Sequence, residues 1–222
     1  MFGFSFYQSK QYEKQAEAQA IEQARLDSIA MVELAMQAAA DSANVNSGET
    51  TAVKVKLDDA PVAYNNWCNS CEVDKYVLWE KHNNVDATLE QFSKWIEEYD
   101  DLRTYRWIVE LKDNHDLIGT IDVSKRFIKY GSCEVGYCYS EKYWNKGYAT
   151  EALKAVIKFL FEECDADIVN ASFMENNPAS GKVMEKSGMR YEGTLKSRVI
   201  DKNCNRNDLI YYAITKDEYF NM

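Results

Sequence analysis

The chain has 222 residues, 46% of them hydrophobic and 28% charged, with only two prolines, a balance that suits one well-buried α/β domain and excludes a disordered polypeptide. A net charge of -10 argues against a nucleic-acid partner, whose backbone requires clustered lysine and arginine, and suits a cationic acceptor such as an amine. No apolar run approaches the ~20 residues needed to span a membrane and the start lacks a signal-like apolar core, so a cytoplasmic protein with no membrane partner is expected.

From Gln8 to about Ala40 there is no glycine or proline, and alanine, glutamine and glutamate dominate, which predicts one long helix. Asn44-Val45-Asn46-Ser47-Gly48 ends it as a polar linker. Residues 1–50 are thus expected to be a helical extension, either a solvated appendage or a helix for docking or oligomerisation, and residues 51–222 the folded domain. Thr51 to Lys56 reads as a strand, and Leu57-Asp58-Asp59-Ala60-Pro61 has the acidic cap and early proline of a helix start. Helices are predicted over 61–69, 73–79 and 88–99, with His82, Asn83 and Asn84 in the loop before the last. Strands over 104–111, 116–123 and 133–139 follow, the first two paired through the turn Asp113-Asn114-His115-Asp116. Next come a helix over 148–163, a strand over 168–173, a helix from Asn177 or Pro178 to Ser187, and strands over 190–200 and 208–214. Hairpins followed by a β-α-β-α-β run imply an α/β fold with a mixed sheet covered by helices.

Six cysteines raise the question of a metal or a disulfide. Cys68-x-x-Cys71 has half the spacing of a zinc site, but no second pair follows it and Cys133, Cys138, Cys164 and Cys204 are scattered, so reduced thiols and no metal are expected. The only histidines, His82 and His115, have no serine or cysteine and acid at a catalytic spacing, which argues against a histidine-dependent triad.

The strongest chemical signal is Trp144-Asn145-Lys146-Gly147-Tyr148-Ala149-Thr150-Glu151-Ala152. It follows a strand-like run and precedes Leu153, Val156, Ile157, Leu160 and Phe161 at helical spacing, so Gly147 falls where the free N–H groups of a helix begin. Such a start, with a glycine that lets the backbone approach closely, is an anion site. A plain helix-start turn is the alternative.

These residues, in this order, resemble the GNAT superfamily of acetyl-CoA-dependent N-acetyltransferases, and within it the RimJ/RimL-like branch, from about Thr51 to Lys216. Against the family pattern Gln/Arg-x-x-Gly-x-Gly/Ala, Gly147 and Ala149 match, while Trp144 stands at the Gln/Arg position. A second stretch, Asn176-Asn177-Pro178-Ala179-Ser180 and then Ser187-Gly188-Met189-Arg190-Tyr191-Glu192-Gly193, is similar to the family's Asn-x-x-Ser helix and Gly-Phe-x-x-Glu-Gly turn, with Met189 for Phe. Asp58-Asp59-Ala60, Asn65-Asn66-Trp67 and Glu72-Val73-x-Lys75-Tyr76 are a weaker match. The resemblance implies a mostly antiparallel, splayed sheet flanked by helices, with the amino-terminal helix as an addition. It also implies acetyl-CoA as co-substrate, its diphosphate over Trp144, Asn145, Lys146, Gly147, Tyr148, Ala149 and Thr150 and its pantetheine arm along Tyr137, Cys138 and Tyr139. Asn177 would bind the arm and Ser180 would protonate the leaving thiolate, with simple helix capping as their alternative. Tyr212 matches a tyrosine of the family's last strand and is expected in the core.

For the base, Glu134 is the candidate, through desolvation on a buried strand; a solvent-facing glutamate paired with a lysine is the equal alternative. Acceptor-lining loops are expected around Trp79 to Asp86, including Trp79 and His82, and near Arg126 to Tyr130. The reading that results is an N-acetyltransferase acting on a protein α-amine or a small amine, with homodimerisation open. Its rival is an acetyl-CoA-binding sensor or scaffold docking through the amino-terminal helix. A nucleotide-binding α/β protein is disfavoured, since neither a Gly-x-x-x-x-Gly-Lys-Ser/Thr loop nor a Gly-x-Gly-x-x-Gly fingerprint is present.

Overall fold

In a computed structural model, residues 50–100, 105–127 and 130–222, together with Gln19, are described. The long helix and linker expected before Thr50 lie outside the described residues. Seven strands form one sheet: β1 (Thr50–Val53), β2 (Tyr105–Leu111), β3 (Leu117–Phe127), β4 (Ser132–Tyr139), β5 (Ile168–Met174), β6 (Arg190–Ile200) and β7 (Arg206–Thr215). Their order is β1-β2-β3-β4-β5-β7-β6, and every pairing is antiparallel except β4 with β5. That parallel pair is short: Ser132, Cys133 and Glu134 face Ile168, Val169 and Asn170, and pairing then stops. Beyond Glu134 the two strands diverge, which splits the sheet and, among the described residues, leaves one edge of β4 without a strand partner.

Each face of the sheet has its own core. On one face lie α4 (Tyr148–Glu162), α5 (Pro178–Lys186) and α6 (Lys216–Phe220), packed on Trp107, Ile121, Val135, Val169 and Ile214. On the other lie α1 (Ala60–Ala63), the wider turn Tyr64–Cys68, α2 (Cys71–Asp74) and α3 (Val85–Glu97), around Trp67, Phe92, Ile108 and Leu117. Eight apolar side chains of α4, from Ala152 to Phe161, are sealed from water. A buried Leu, Ile or Phe contributes ~1.5–3 kcal/mol, whereas an exposed pair such as Lys94–Glu90 at 2.7 Å contributes ~0.3–0.5 kcal/mol. Apolar burial therefore fixes the helices on the sheet.

Most expected elements are present with ends moved by up to four residues, the largest shift being at the end of β3, which runs to Phe127. The exception is 73–79, which is helical only over Cys71–Asp74: Ser70 caps it by accepting from the N–H groups of Glu72 and Val73, and Asp74 then accepts from the Lys81 N–H at 2.8 Å, turning the chain away. The helix expected from Thr88 begins at Val85, because Asn84 Oδ1 accepts from the Ala87 N–H at 3.0 Å and so caps it. The first strand ends at Val53, where Asp59 reaches back to the Lys56 N–H at 2.9 Å and starts the turn at Leu57. Tyr212 is in the core as expected, its hydroxyl donating to Glu185 at 3.1 Å.

Candidate active site

The divergence of β4 from β5 opens a cleft lined by Tyr76, Val135, Gly136, Tyr137, Ser172, Phe173, Asn177, Ser180 and Met184. β4 alternates across it. Val135, Tyr137 and Tyr139 point toward the α4 side, and Glu134, Gly136 and Cys138 toward the α3 side. Three of the residues singled out from sequence meet here: Tyr137, Asn177 and Ser180. The Tyr137 hydroxyl donates to the Ser180 carbonyl at 3.0 Å, tying β4 to the first turn of α5. Asn177 caps that turn by accepting from the Ser180 N–H and donates from Nδ2 to Ser180 Oγ at 3.0 Å. Capping and site roles thus coincide in one pair. Burial raises the Tyr137 phenol well above its ordinary value, so it is a neutral donor.

The loop before α4 sits at the end of β4. The Trp144 indole N–H donates to the Tyr139 carbonyl at 2.7 Å and its ring meets Tyr76 edge-on at 5.9 Å, which explains a tryptophan here: it closes the strand end. Asn145 and Gly147 have φ of 60° and 94°, the left-handed region where glycine is unstrained. Two such turns aim successive N–H groups to one side as an anion-binding concavity. Among the described residues no side chain caps α4, so its first N–H groups stay available. Asn145, Lys146 and Gly147 are exposed, with the Lys146 ammonium 5.1 Å above the Tyr143 ring. Tyr148 is buried beneath the loop and Ala149 packs on the core, while Thr150 is half-buried. An uncapped, exposed helix start at the cleft mouth fits a diphosphate.

Glu134 is half-buried at the last paired position, opposite Asn170, and does not line the cleft. Asn170 Oδ1 on the same face is buried, with no hydrogen-bond partner among the described residues. Cys138 packs toward Cys68 and Phe92, with its thiol pushed far up by burial. Trp79 and His82 stack at 5.6 Å. His82 Nδ1 is hydrogen-bonded to Thr88 Oγ1 at 2.8 Å, and burial lowers its pKa. Their loop touches the β6–β7 turn, where Lys202 lies 6.0 Å over Trp79, donates to the Asp74 carbonyl at 3.1 Å and pairs with the Asp74 carboxylate. Neither lines the cleft, although Tyr76 beside them does. Arg126, from the second expected acceptor loop, is committed to the Tyr105 hydroxyl at 3.0 Å and the Cys164 carbonyl at 2.6 Å. Residues 128 and 129 lie outside the described residues.

Two residues in and beside the cleft were not foreseen from sequence. Tyr76 stood only in a weak motif. Asp122 stands in the apolar run Ile118-Gly119-Thr120-Ile121-Asp122-Val123, where an acid inside a central strand was itself the signal. Asp122 pairs in register with Gly136. Among the described residues, no group of three or more His, Cys, Asp or Glu side chains is placed to hold a metal ion, and no helix is long and apolar enough to cross a membrane.

A cleft made by strand divergence, with an uncapped helix start at its mouth, is the geometry found together with a match to acetyl-CoA-dependent acyltransferases. Residues 51–190 match the acetyltransferase (GNAT) domain, and the chain belongs to that family. An uncharacterised N-acetyltransferase YoaA of Bacillus subtilis is 27% identical over 145 residues, 65% of this chain and 81% of that one. The ribosomal protein uS5-alanine N-acetyltransferase of Escherichia coli is 26% identical over 106 residues, 47% of this chain and 55% of that one. The crystal structure of a GNAT-family acetyltransferase from Bacillus anthracis superposes with a TM-score of 0.67 at 28% identity, covering 78% of this chain and 98% of that one.

Proposed function

We propose that the chain transfers the acetyl group of acetyl-CoA to a primary amine, a protein N-terminal α-amine or a small-molecule amine, by direct attack while both substrates are bound. The observation that carries this reading is the unpartnered edge of β4 beside Asn177 and Ser180, leading to the uncapped start of α4. Acetyl-CoA supplies an activated acyl group as a thioester. The N–H groups from Asn145 to Thr150 receive the diphosphate, and Lys146 adds charge. The edge of β4 from Tyr137 to Tyr139 holds the pantetheine arm as an added strand, with a backbone N–H there polarising the thioester carbonyl. Asn177 orients the Ser180 hydroxyl, which delivers a proton toward the departing sulfur. Glu134, set back from the cleft, serves proton exit through water. Trp79 and His82 shape the outer wall on the acceptor side, behind Tyr76.

The test is acetyl-CoA turnover, followed by thiol release, with spermidine, n-butylamine and an alanine-first peptide as acceptors. Turnover with at least one of them is expected. Binding of acetyl-CoA with no turnover on any of them would favour the sensor reading instead.

A further inference from the structure

Resting on the acetyltransferase reading, we propose that Asp122 of β3 takes the proton from the acceptor's ammonium through the opening left by Gly136. Gly136 lines the cleft, and a Cβ at that position would stand 3.1 Å from Asp122 Oδ1. The missing side chain is thus a window from the cleft to a carboxylate on the neighbouring strand. Asp122 is held for this use. Its Oδ2 accepts from Arg106 Nη1 at 3.2 Å, while Arg106 is fixed by Glu98 at 2.8 Å and by the Trp95 ring at 5.1 Å. No hydrogen bond reaches Oδ1 among the described residues, and the side chain keeps one-fifth of its surface exposed. The same face carries the buried, unpartnered Asn170 Oδ1, a second acceptor suited to an ammonium.

The groups facing Asp122 are Arg106 on β2, Glu98 after α3, and Glu134 and Cys138 on β4. Burial raises the Asp122 carboxyl to about 6 against the pull of Arg106, with Glu98 and Glu134 adding to the rise. An acid in that range is matched to work near neutral pH. In the step, an N–H bond of the ammonium breaks, its electron pair stays on nitrogen, and an O–H bond forms at Oδ1. The amine then forms the C–N bond as the C–S bond breaks and sulfur leaves with that pair; the acylated nitrogen gives up a second N–H proton, which replaces at Ser180 Oγ the proton that hydroxyl passes to sulfur, and the proton on Asp122 passes to water. One proton is released per amide formed.

The experiment measures kcat and KM against pH for wild type, Asp122→Asn, Gly136→Ala and Glu134→Gln, using the best of the three amines and with acetyl-CoA affinity measured by calorimetry. Asp122→Asn is expected to bind acetyl-CoA as wild type does, lose about 100-fold or more in kcat, and lose the acidic limb near pH 6. Glu134→Gln is expected to lose less and keep the limb. If Asp122→Asn fails to fold, Gly136→Ala decides, since it spares the Asp122–Arg106 pair: a loss of about 10-fold or more in kcat at unchanged acetyl-CoA affinity supports the window. Retention of the limb in Asp122→Asn, or its disappearance in Glu134→Gln alone, overturns the assignment. A wild type that binds acetyl-CoA yet acetylates none of the amines overturns the underlying reading instead.

Discussion

A carboxylate held in a sheet interior has a cost that can be read apart from any activity. Asp122 ionises at about 6 in the fold against an ordinary 3.8. Between those values the native state binds the proton that the unfolded chain has released, so stability falls as pH rises from about 4 to about 6 and stays lower above. Replacing Asp122 with Asn removes that dependence. The variant's stability relative to wild type is expected to improve between pH 4 and pH 8 by about 2 kcal/mol, at 1.36 kcal/mol per pKa unit, as measured by urea unfolding at the two pH values. Ser180 makes a second residue-scale case. Ser180→Ala leaves the cap from Asn177 to the Ser180 N–H intact while deleting the hydroxyl. A fall in kcat of about 10- to 100-fold is expected, with the KM for acetyl-CoA nearly unchanged.

At the scale of elements, the junction of β1 and α4 rests on Glu151. Its Oε1 accepts from both the Thr50 N–H at 3.0 Å and the Thr50 hydroxyl at 2.6 Å, and Thr50 is fully buried. Glu151→Ala strands two buried donors, each costing ~1–3 kcal/mol, so a drop of about 3 kcal/mol is expected in urea unfolding, with Glu151→Gln recovering part of it. The position of α4 was legible from Gly147 and the apolar spacing after it, and α5 from Pro178 and Gly188, because these signals are local. The tie between Thr50 and Glu151 was not legible, since it joins residues 101 positions apart. For the same reason the stretch 73–79 read as helix: its residues favour one, but Asp74 is engaged by the Lys81 N–H and by Lys202, 128 positions away.

Across the whole molecule, the alternation of strands and helices disclosed the mixed sheet, and the family resemblance disclosed its splay. Strand periodicity disclosed which residues of β4 share a face. It did not disclose that an acid lies beside Gly136, because that depends on β3 lying beside β4 with Asp122 opposite Gly136. Glu134 was therefore the acid visible from sequence, and Asp122 is the one we propose from the structure. The architecture places the uncapped start of α4 and the strand divergence at the same end of the sheet, so a single cofactor can span both. The most direct test of that claim is calorimetric titration of the protein with acetyl-CoA, alongside Gly147→Glu, which puts bulk and negative charge where the diphosphate would lie. Binding near micromolar affinity in wild type, weakened by about 100-fold or more in the variant with its fold intact by circular dichroism, is the result expected. Absence of binding by folded wild type, or equal affinity in the variant, would contradict the account.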